Sequence, residues 1–451
     1  MTSAFDFPLY VPPEQSSGQP FEGDLFQRSN LAERLTGFVQ RLDKTGGVIA
    51  IDAPWGDGKT WFVENWERKL KKDGYKTAFL NLFKHDHVDD PFAMLCSEVI
   101  AQLDLGPNEK DRLLEKGKVV AKTLIPLMTK ALITYGMKSA TGFTPDEFNE
   151  AMGELSQGLG DQAKEFVADT IKQFEDDKKS MEAFLGLLTE YASALEKPLV
   201  VFIDELDRCR PDFAVRTIER IKHFFDVPKI IFVLSVNRTQ LTAYVRGIYG
   251  IQEEANQYLN KFILFWLKLP KARSLDYRGL DHGLIYCNEL ARKYGVSQLG
   301  ETTLFSQLLA VFANKLSLTL RDLERGFTLY SLSMPLKGVD AILLSWPIVL
   351  KLTKPNVFYG VLSGNSDANK EAINILHSVN NPSGKYSLFI DFFIELHTLD
   401  PGSDLNHAEH LTQESQNIIV QISSPLPSPW VSDPAGYIPW LFGKIDINVE
   451  R

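Results

Sequence analysis

Ala53-Pro54-Trp55-Gly56-Asp57-Gly58-Lys59-Thr60 follows directly on the apolar run Val48-Ile49-Ala50-Ile51 and opens a helix-compatible stretch to Leu70. Strand, glycine loop and helix in that order gather the orphan N–H groups of a loop and a helix N-terminus at one point, where they carry partial positive charge and attract anions. Gly58 lets the backbone approach a phosphate, Lys59 can reach the β and γ oxygens, and the Thr60 hydroxyl can join a Mg²⁺ shell. Loops of this kind usually begin with Gly, and Ala tolerates positive φ at a cost of about 1 kcal/mol. The backbone at Ala53 is therefore either outside the left-handed region or slightly strained.

The partner of this loop is Leu199-Val200-Val201-Phe202-Ile203, a run without alternation that reads as a strand buried on both faces of a parallel sheet. It ends in Asp204-Glu205-Leu206-Asp207-Arg208-Cys209. Ligands bind beyond the carboxyl ends of such strands, which puts Asp204 where a Mg²⁺-facing carboxylate is needed and Glu205 where a general base can polarise water.

Working outward, Lys76–Leu82, Lys229–Arg238 and Ile263–Pro270 supply three more strand signals, and helical patterns lie between them, so the fold class is α/β with a parallel sheet. Leu31 to Leu42 reads as an amphipathic helix, and Pro211 can open another whose apolar face holds Ala214, Ile218, Ile221 and Phe225. Phe26 and Arg28, just ahead of the first strand, are candidates to wall a nucleotide base; plain helix packing is the alternative. Asn237, at the end of the fourth strand, can hydrogen-bond an attacking water or the γ-phosphate. Leu316–Arg325 is expected to begin a lid helix whose Arg321 and Arg325 share a face. Arg321 can reach back to a γ-phosphate, with an ordinary surface pair to Asp322 or Glu324 as the competing reading.

Five segments are expected: an arm over residues 1–23, a core of 24–90 and 198–270, a helical insertion over 91–197, a helical lid over 271–330, and a helical, aromatic interaction region over 331–451 whose Trp430, Tyr437, Trp440 and Phe442 dock on the body of the protein or on a partner. Within the insertion, Val119–Phe143 is the single membrane candidate. It carries Lys122, Lys130 and Lys138 and is interrupted by Pro126. A central Lys costs about 2.5 to 3.5 kcal/mol, so a spanning helix is rejected and a helix that packs on a partner or lies on a membrane surface is the minor alternative. His85-x-His87 among aspartates invites a metal, but the sequence places no further ligand, and a loop over the nucleotide or a helix cap before Pro91 is the expected reading. His407-x-x-His410 near Asp404 reads as a solvated helix start.

The 451 residues carry a net charge of −10, which weighs against a nucleic-acid groove as the main surface. Cys96, Cys209 and Cys287 lack metal spacing, and the chain begins without a secretory pattern, so a reduced, cytoplasmic location is expected, peripheral to a membrane at most.

On these motifs the chain resembles the KAP family of P-loop NTPases, a branch of the STAND and AAA+ like ATPases. The resemblance rests on Trp55 to Thr60, Asn81 to Pro91, Asp204 to Cys209, Phe232 to Arg238, Tyr258-Leu259-Asn260-Lys261-Phe262 and Arg321 to Arg325, and covers about residues 24 to 330. It implies ATP and Mg²⁺ as cofactors, with Lys59 and Thr60 on phosphate and metal, Asp204 on Mg²⁺ and Glu205 on the water. Arg208 and Arg321 are implied as nucleotide sensors, and defence against phage as a frequent role. The sequence departs from the family at Ala53, at Asn237 where Asp is usual, and in lacking membrane helices in the insertion. The expected nucleotide-contact set is Arg28, Trp55, Gly56, Asp57, Gly58, Lys59, Thr60 and Trp61. The expected catalytic set is Lys59, Glu205, Asn237 and Arg321, and the metal pair is Thr60 and Asp204.

The expectation from residues and resemblance together is an ATP-hydrolysing switch acting through a protein effector or self-association. A nucleotide-gated scaffold with little turnover and a DNA-directed motor are the two rivals. Arg208, Arg216, Arg220 and Arg238 are the candidates to serve a neighbour's nucleotide in trans.

Overall fold

Unbroken apolar runs have both faces to bury, and here they do so as one parallel sheet. In the computed structural model β1 (Gly47–Asp52), β2 (Thr77–Asn81), β3 (Leu199–Asp204), β4 (Ile230–Val236) and β5 (Phe265–Lys268) pair in the order β2-β3-β4-β1-β5, every neighbouring pair parallel. The structure describes residues 19–88, 91–102, 185–186, 188–222, 227–270, 282–295, 300–333, 339–382, 386–398 and 436–446. The candidate span Val119–Phe143, the pair His407 and His410, Phe225 and Trp430 lie outside these. The described residues form two compact units, one from Gly18–Ala53 with Lys59–Leu269 and one from Pro54–Gly58 with Pro270–Arg451.

In the sheet unit, alternate residues of each strand feed opposite cores. Val48, Ala50, Val201, Ile203, Phe232 and Leu234 face Leu95 of α3 (Pro91–Gln102), Phe213 and Ile218 of α4 (Pro211–Ile221) and Leu241 of α5 (Arg238–Tyr249). Ile49, Ile51, Val200, Phe202, Ile231 and Val233 face Leu35 and Val39 of α1 (Arg28–Arg41) and Phe62 and Trp66 of α2 (Lys59–Lys72). Trp66 is fully buried, so its indole N–H needs an acceptor, and Thr36 Oγ1 supplies one at 3.0 Å. The core begins before the expected boundary at residue 24: Phe21 is buried, its N–H bonded to Asn65 Oδ1 at 2.8 Å.

Prolines start helices as the pattern predicts: Pro91 is the first residue of α3, and Pro211 sits in the first turn of α4. The short helix α6 (Ala255–Asn260) leads into β5, which lies at one edge of the sheet with Phe265 exposed. At the other edge, Phe79 points its N–H and C=O away from β3, and the Gln102 side chain bonds both, at 2.8 and 3.1 Å. One amide thus stands in for a further strand.

The second unit is helical: α7 (His282–Lys293), α8 (Gly300–Leu316), α9 (Leu320–Leu332), α10 (Val339–Leu343), α11 (Ser345–Thr353), α12 (Pro355–Leu362), α13 (Ser366–Val379), α14 (Ser387–Thr398) and α15 (Tyr437–Gly443). A single core runs from Cys287 to Ile445, across the boundary expected near residue 331. Tyr437 and Phe442, expected to dock on the body or on a partner, are fully buried in it. The lid helix starts four residues later than its sequence pattern suggests. α8 ends at Leu316, Ser317 turns left-handed with φ 64°, and Thr319 caps α9 in a reciprocal capping box with Asp322. Among the described residues no helix is long and apolar enough to cross a membrane.

Candidate functional site

β1 carries the chain to the carboxyl edge of the sheet, where Ala53 N–H still bonds Val236 O of β4 at 3.3 Å. The loop then turns at Gly56 (φ 88°) and Gly58 (φ 77°), positions only glycine takes without strain. Ala53 is outside the left-handed region, so the missing glycine there costs nothing. α2 opens at Lys59, leaving its first N–H groups without helical acceptors. The Lys59 ammonium is nearly buried; it donates to Ala53 O at 2.7 Å and lies 3.8 Å from Asp207 Oδ2. Burial lowers its pKa, and the carboxylates of Asp207, Asp204 and Asp52 oppose that shift.

Thr60 Oγ1 donates to Asp204 Oδ2 at 2.7 Å across 144 positions of sequence. Asp204 is 1% exposed, and burial raises its pKa while the hydroxyls of Ser235 and Thr60 partly offset the rise. A desolvated carboxylate bonded to a hydroxyl is a pair of hard oxygen donors whose burial cost a dication would relieve, so these two residues fit Mg²⁺.

Glu205 is held from two sides. Asn81 Nδ2 donates to Oε2 at 2.9 Å, and Arg208 lies 2.9 Å from Oε1. Its backbone is left-handed, with φ 59°, a conformation that costs a non-glycine residue about 1 to 2 kcal/mol and recurs where function holds it. Asn237 uses Oδ1 to cap α5, accepting from Thr239 N at 3.1 Å and Gln240 N at 3.4 Å, so its amide nitrogen is the end able to donate to water or phosphate. The Asn237 N–H donates to Asp207 Oδ2 at 2.9 Å.

The four arginines considered for action in trans differ in their ties. Arg208 is on Glu205 and Arg216 on Asp212 at 3.1 Å. Arg238 lies over the Trp266 ring at 4.5 Å, with Nε on Asn256 at 3.3 Å and its N–H on Asp52 at 2.9 Å. Arg220 is half-buried on α4.

Arg28 is buried with its guanidinium 5.1 Å over Phe26. Trp61 packs edge-on against Phe21 at 5.8 Å, on the α1 side of the sheet. Trp55 is 42% exposed and Asp57 is buried. Arg321 donates its backbone N–H to Gly56 O at 3.2 Å, and its side chain is exposed. A Cβ on Gly56 would stand 2.8 Å from both Arg321 Cβ and Thr319 Oγ1, a second reason for glycine there. His85 and His87 join no cluster of three or more metal-ligating side chains among the described residues; Asp86 instead accepts from Arg210 N at 3.2 Å.

Asn81, Asp207, Asp52 and Ser235 were not picked out as site residues by sequence. Asn81 and Ser235 flank Asp204 in register on the neighbouring strands, information that exists only once strand order is known. Asp207 sat in plain view within the acidic motif.

A parallel sheet with a glycine loop after β1, and with a carboxylate at the end of β3 bonded to the hydroxyl that follows the loop lysine, defines a P-loop NTPase. The chain belongs to the KAP family: the KAP family P-loop domain matches residues 28–326. It is similar to the phage T7 exclusion protein of Escherichia coli K12, at 24% identity over 265 residues, 56% of this chain and 34% of that protein. The chain thus spans about a third of that relative's length. Among solved structures it is similar to the Aeropyrum pernix ORC2 protein in its ADPNP-ADP complexes (14% identity, TM-score 0.34, 92% of this chain and 97% of that one). It is also similar to a chain of Drosophila ORC bound to GC-rich DNA and Cdc6 (12% identity, TM-score 0.32, 92% and 54%).

Proposed function

We propose that the protein binds ATP with Mg²⁺ and hydrolyses it slowly, as a switch. The observation that carries this reading is the 2.7 Å bond between Thr60 and Asp204 beside a buried Lys59. Lys59 and the N–H groups opening α2 bind the phosphates, and Phe26 and Arg28 are the residues we assign to the base. Thr60 and Asp204 would hold Mg²⁺, which when bound neutralises charge on the phosphate oxygens. Glu205 polarises the attacking water, Asn237 donates to it or to the γ-phosphate, and Arg321 answers to the nucleotide's state. Slow turnover follows from the restraint on Glu205, whose two oxygens are engaged by Asn81 and Arg208.

Lys59→Ala should abolish ATP binding, and Glu205→Gln should keep binding while losing hydrolysis. Phosphate release no faster in the wild type than in Lys59→Ala, with and without candidate partners, would rule hydrolysis out. The held Glu205 also favours the second reading, a nucleotide-gated scaffold that recruits a protein effector. That reading wins if Glu205→Gln retains cellular function and Lys59→Ala does not. The named relative motivates a role in phage defence, tested by plaque counts on cells carrying wild type against Lys59→Ala.

A further inference from the structure

The carboxylate of Asp207 takes no part in the phosphate, metal or water chemistry set out above, yet it is 1% exposed. A buried carboxylate is costly unless paired, and the Oδ2 oxygen of this one meets both Lys59 and Asn237. Oδ2 lies 3.8 Å from Lys59 Nζ and accepts Asn237 N–H at 2.9 Å. Lys59 in turn donates to Ala53 O, at the end of β1, while Asn237 stands between β4 and α5. The Asp207 backbone carbonyl is separately fixed by Tyr244 OH at 2.9 Å. The ends of β1, β3 and β4 thus meet at one carboxylate, placed so that any displacement of Lys59 changes the field on the oxygen that holds Asn237.

We propose that Asp207 is a positioning residue: it orients Lys59 for the polyphosphate and couples that lysine to the β4–α5 junction carrying Asn237. This rests on the ATP reading of the same site, and the experiment separates the two. Binding of a fluorescent ATP analogue with Mg²⁺, amide exchange at Asn237 with and without saturating analogue, and melting temperature are measured for wild type, Lys59→Ala, Asp207→Asn and Tyr244→Phe. Asn keeps the shape and one acceptor but removes the charge.

In the wild type the analogue should change Asn237 exchange. Asp207→Asn should bind about tenfold more weakly, the worth of one charge-assisted contact, and lose that response even at saturation. Tyr244→Phe, which loosens the turn without touching the carboxylate, should keep it. A wild type whose Asn237 exchange ignores bound analogue overturns the proposal without any variant, as does an Asp207→Asn protein that melts lower yet responds like wild type. If the wild type binds no more analogue than Lys59→Ala, the ATP reading itself fails and takes this proposal with it.

Discussion

Deep in the helical unit His397 is 5% exposed with both ring nitrogens engaged: Nε2 accepts from Trp346 Nε1 at 2.8 Å, and Nδ1 meets Asn369 Oδ1 at 2.6 Å. An imidazole that accepts at one nitrogen is neutral, and burial lowers its pKa from 6.5 to about 4. Above pH 6.5 neither the folded nor the unfolded imidazole holds the extra proton, and the packing contributes in full. As the pH falls from 6.5 toward 4, the unfolded chain binds a proton that the folded chain refuses, so stability is lost across that window. At ~1.4 kcal/mol per pH unit the loss comes to about 3 kcal/mol. Calorimetric melting of wild type and His397→Gln at pH 7.5 and pH ~4.2 isolates it, since the other titrating groups are common to both proteins. The variant should start lower, having lost a packed ring, and should lose about 3 kcal/mol less on acidification. Equal acid sensitivity of the two proteins, or a His397 ring proton that titrates near 6.5 by NMR, would refute the reasoning.

Three further outcomes are expected. Gly360→Ala would place its Cβ 2.4 Å from Ala368 Cβ, forcing α12 and α13 apart, and should cost about 1 to 3 kcal/mol in a denaturant melt; an unchanged midpoint would show that the helices part freely. Asn81→Ala removes one of the two holds on Glu205 and should raise basal turnover by up to ~10-fold at unchanged ATP affinity, measured by steady-state phosphate release; a fall would make Asn81 part of the productive geometry instead. Thr60→Val removes the hydroxyl on Asp204, so titration calorimetry should find ATP binding insensitive to added Mg²⁺, as wild type becomes in EDTA; retained Mg²⁺ enhancement would place the metal elsewhere.

The sequence by itself determined the fold class and the chemistry of the loop, because both are local. A strand buried on two faces must be apolar at every position, and Val200 to Ile203 and Ile230 to Leu234 show that without any partner. Gly56, Gly58 and Lys59 declare a turn and a helix start through their own backbone demands. Strand order is another matter, since an apolar run carries no mark of its neighbour. Only the pairing β2-β3-β4-β1-β5 brings Asn81 to Glu205 across 124 positions and lines Asp204 up with Ser235. The left-handed backbone of Glu205 and the shared oxygen of Asp207 likewise had no periodic signature, being set by contacts between segments far apart in the chain. Tertiary structure also decided where Tyr437 and Phe442 go, since their sequence context left body and partner open as docking surfaces. Burying Tyr437 and Phe442 in one core with Trp346, the Phe442 ring stacked on Phe358, is a long-range packing decision, made where the helices meet rather than within any one of them.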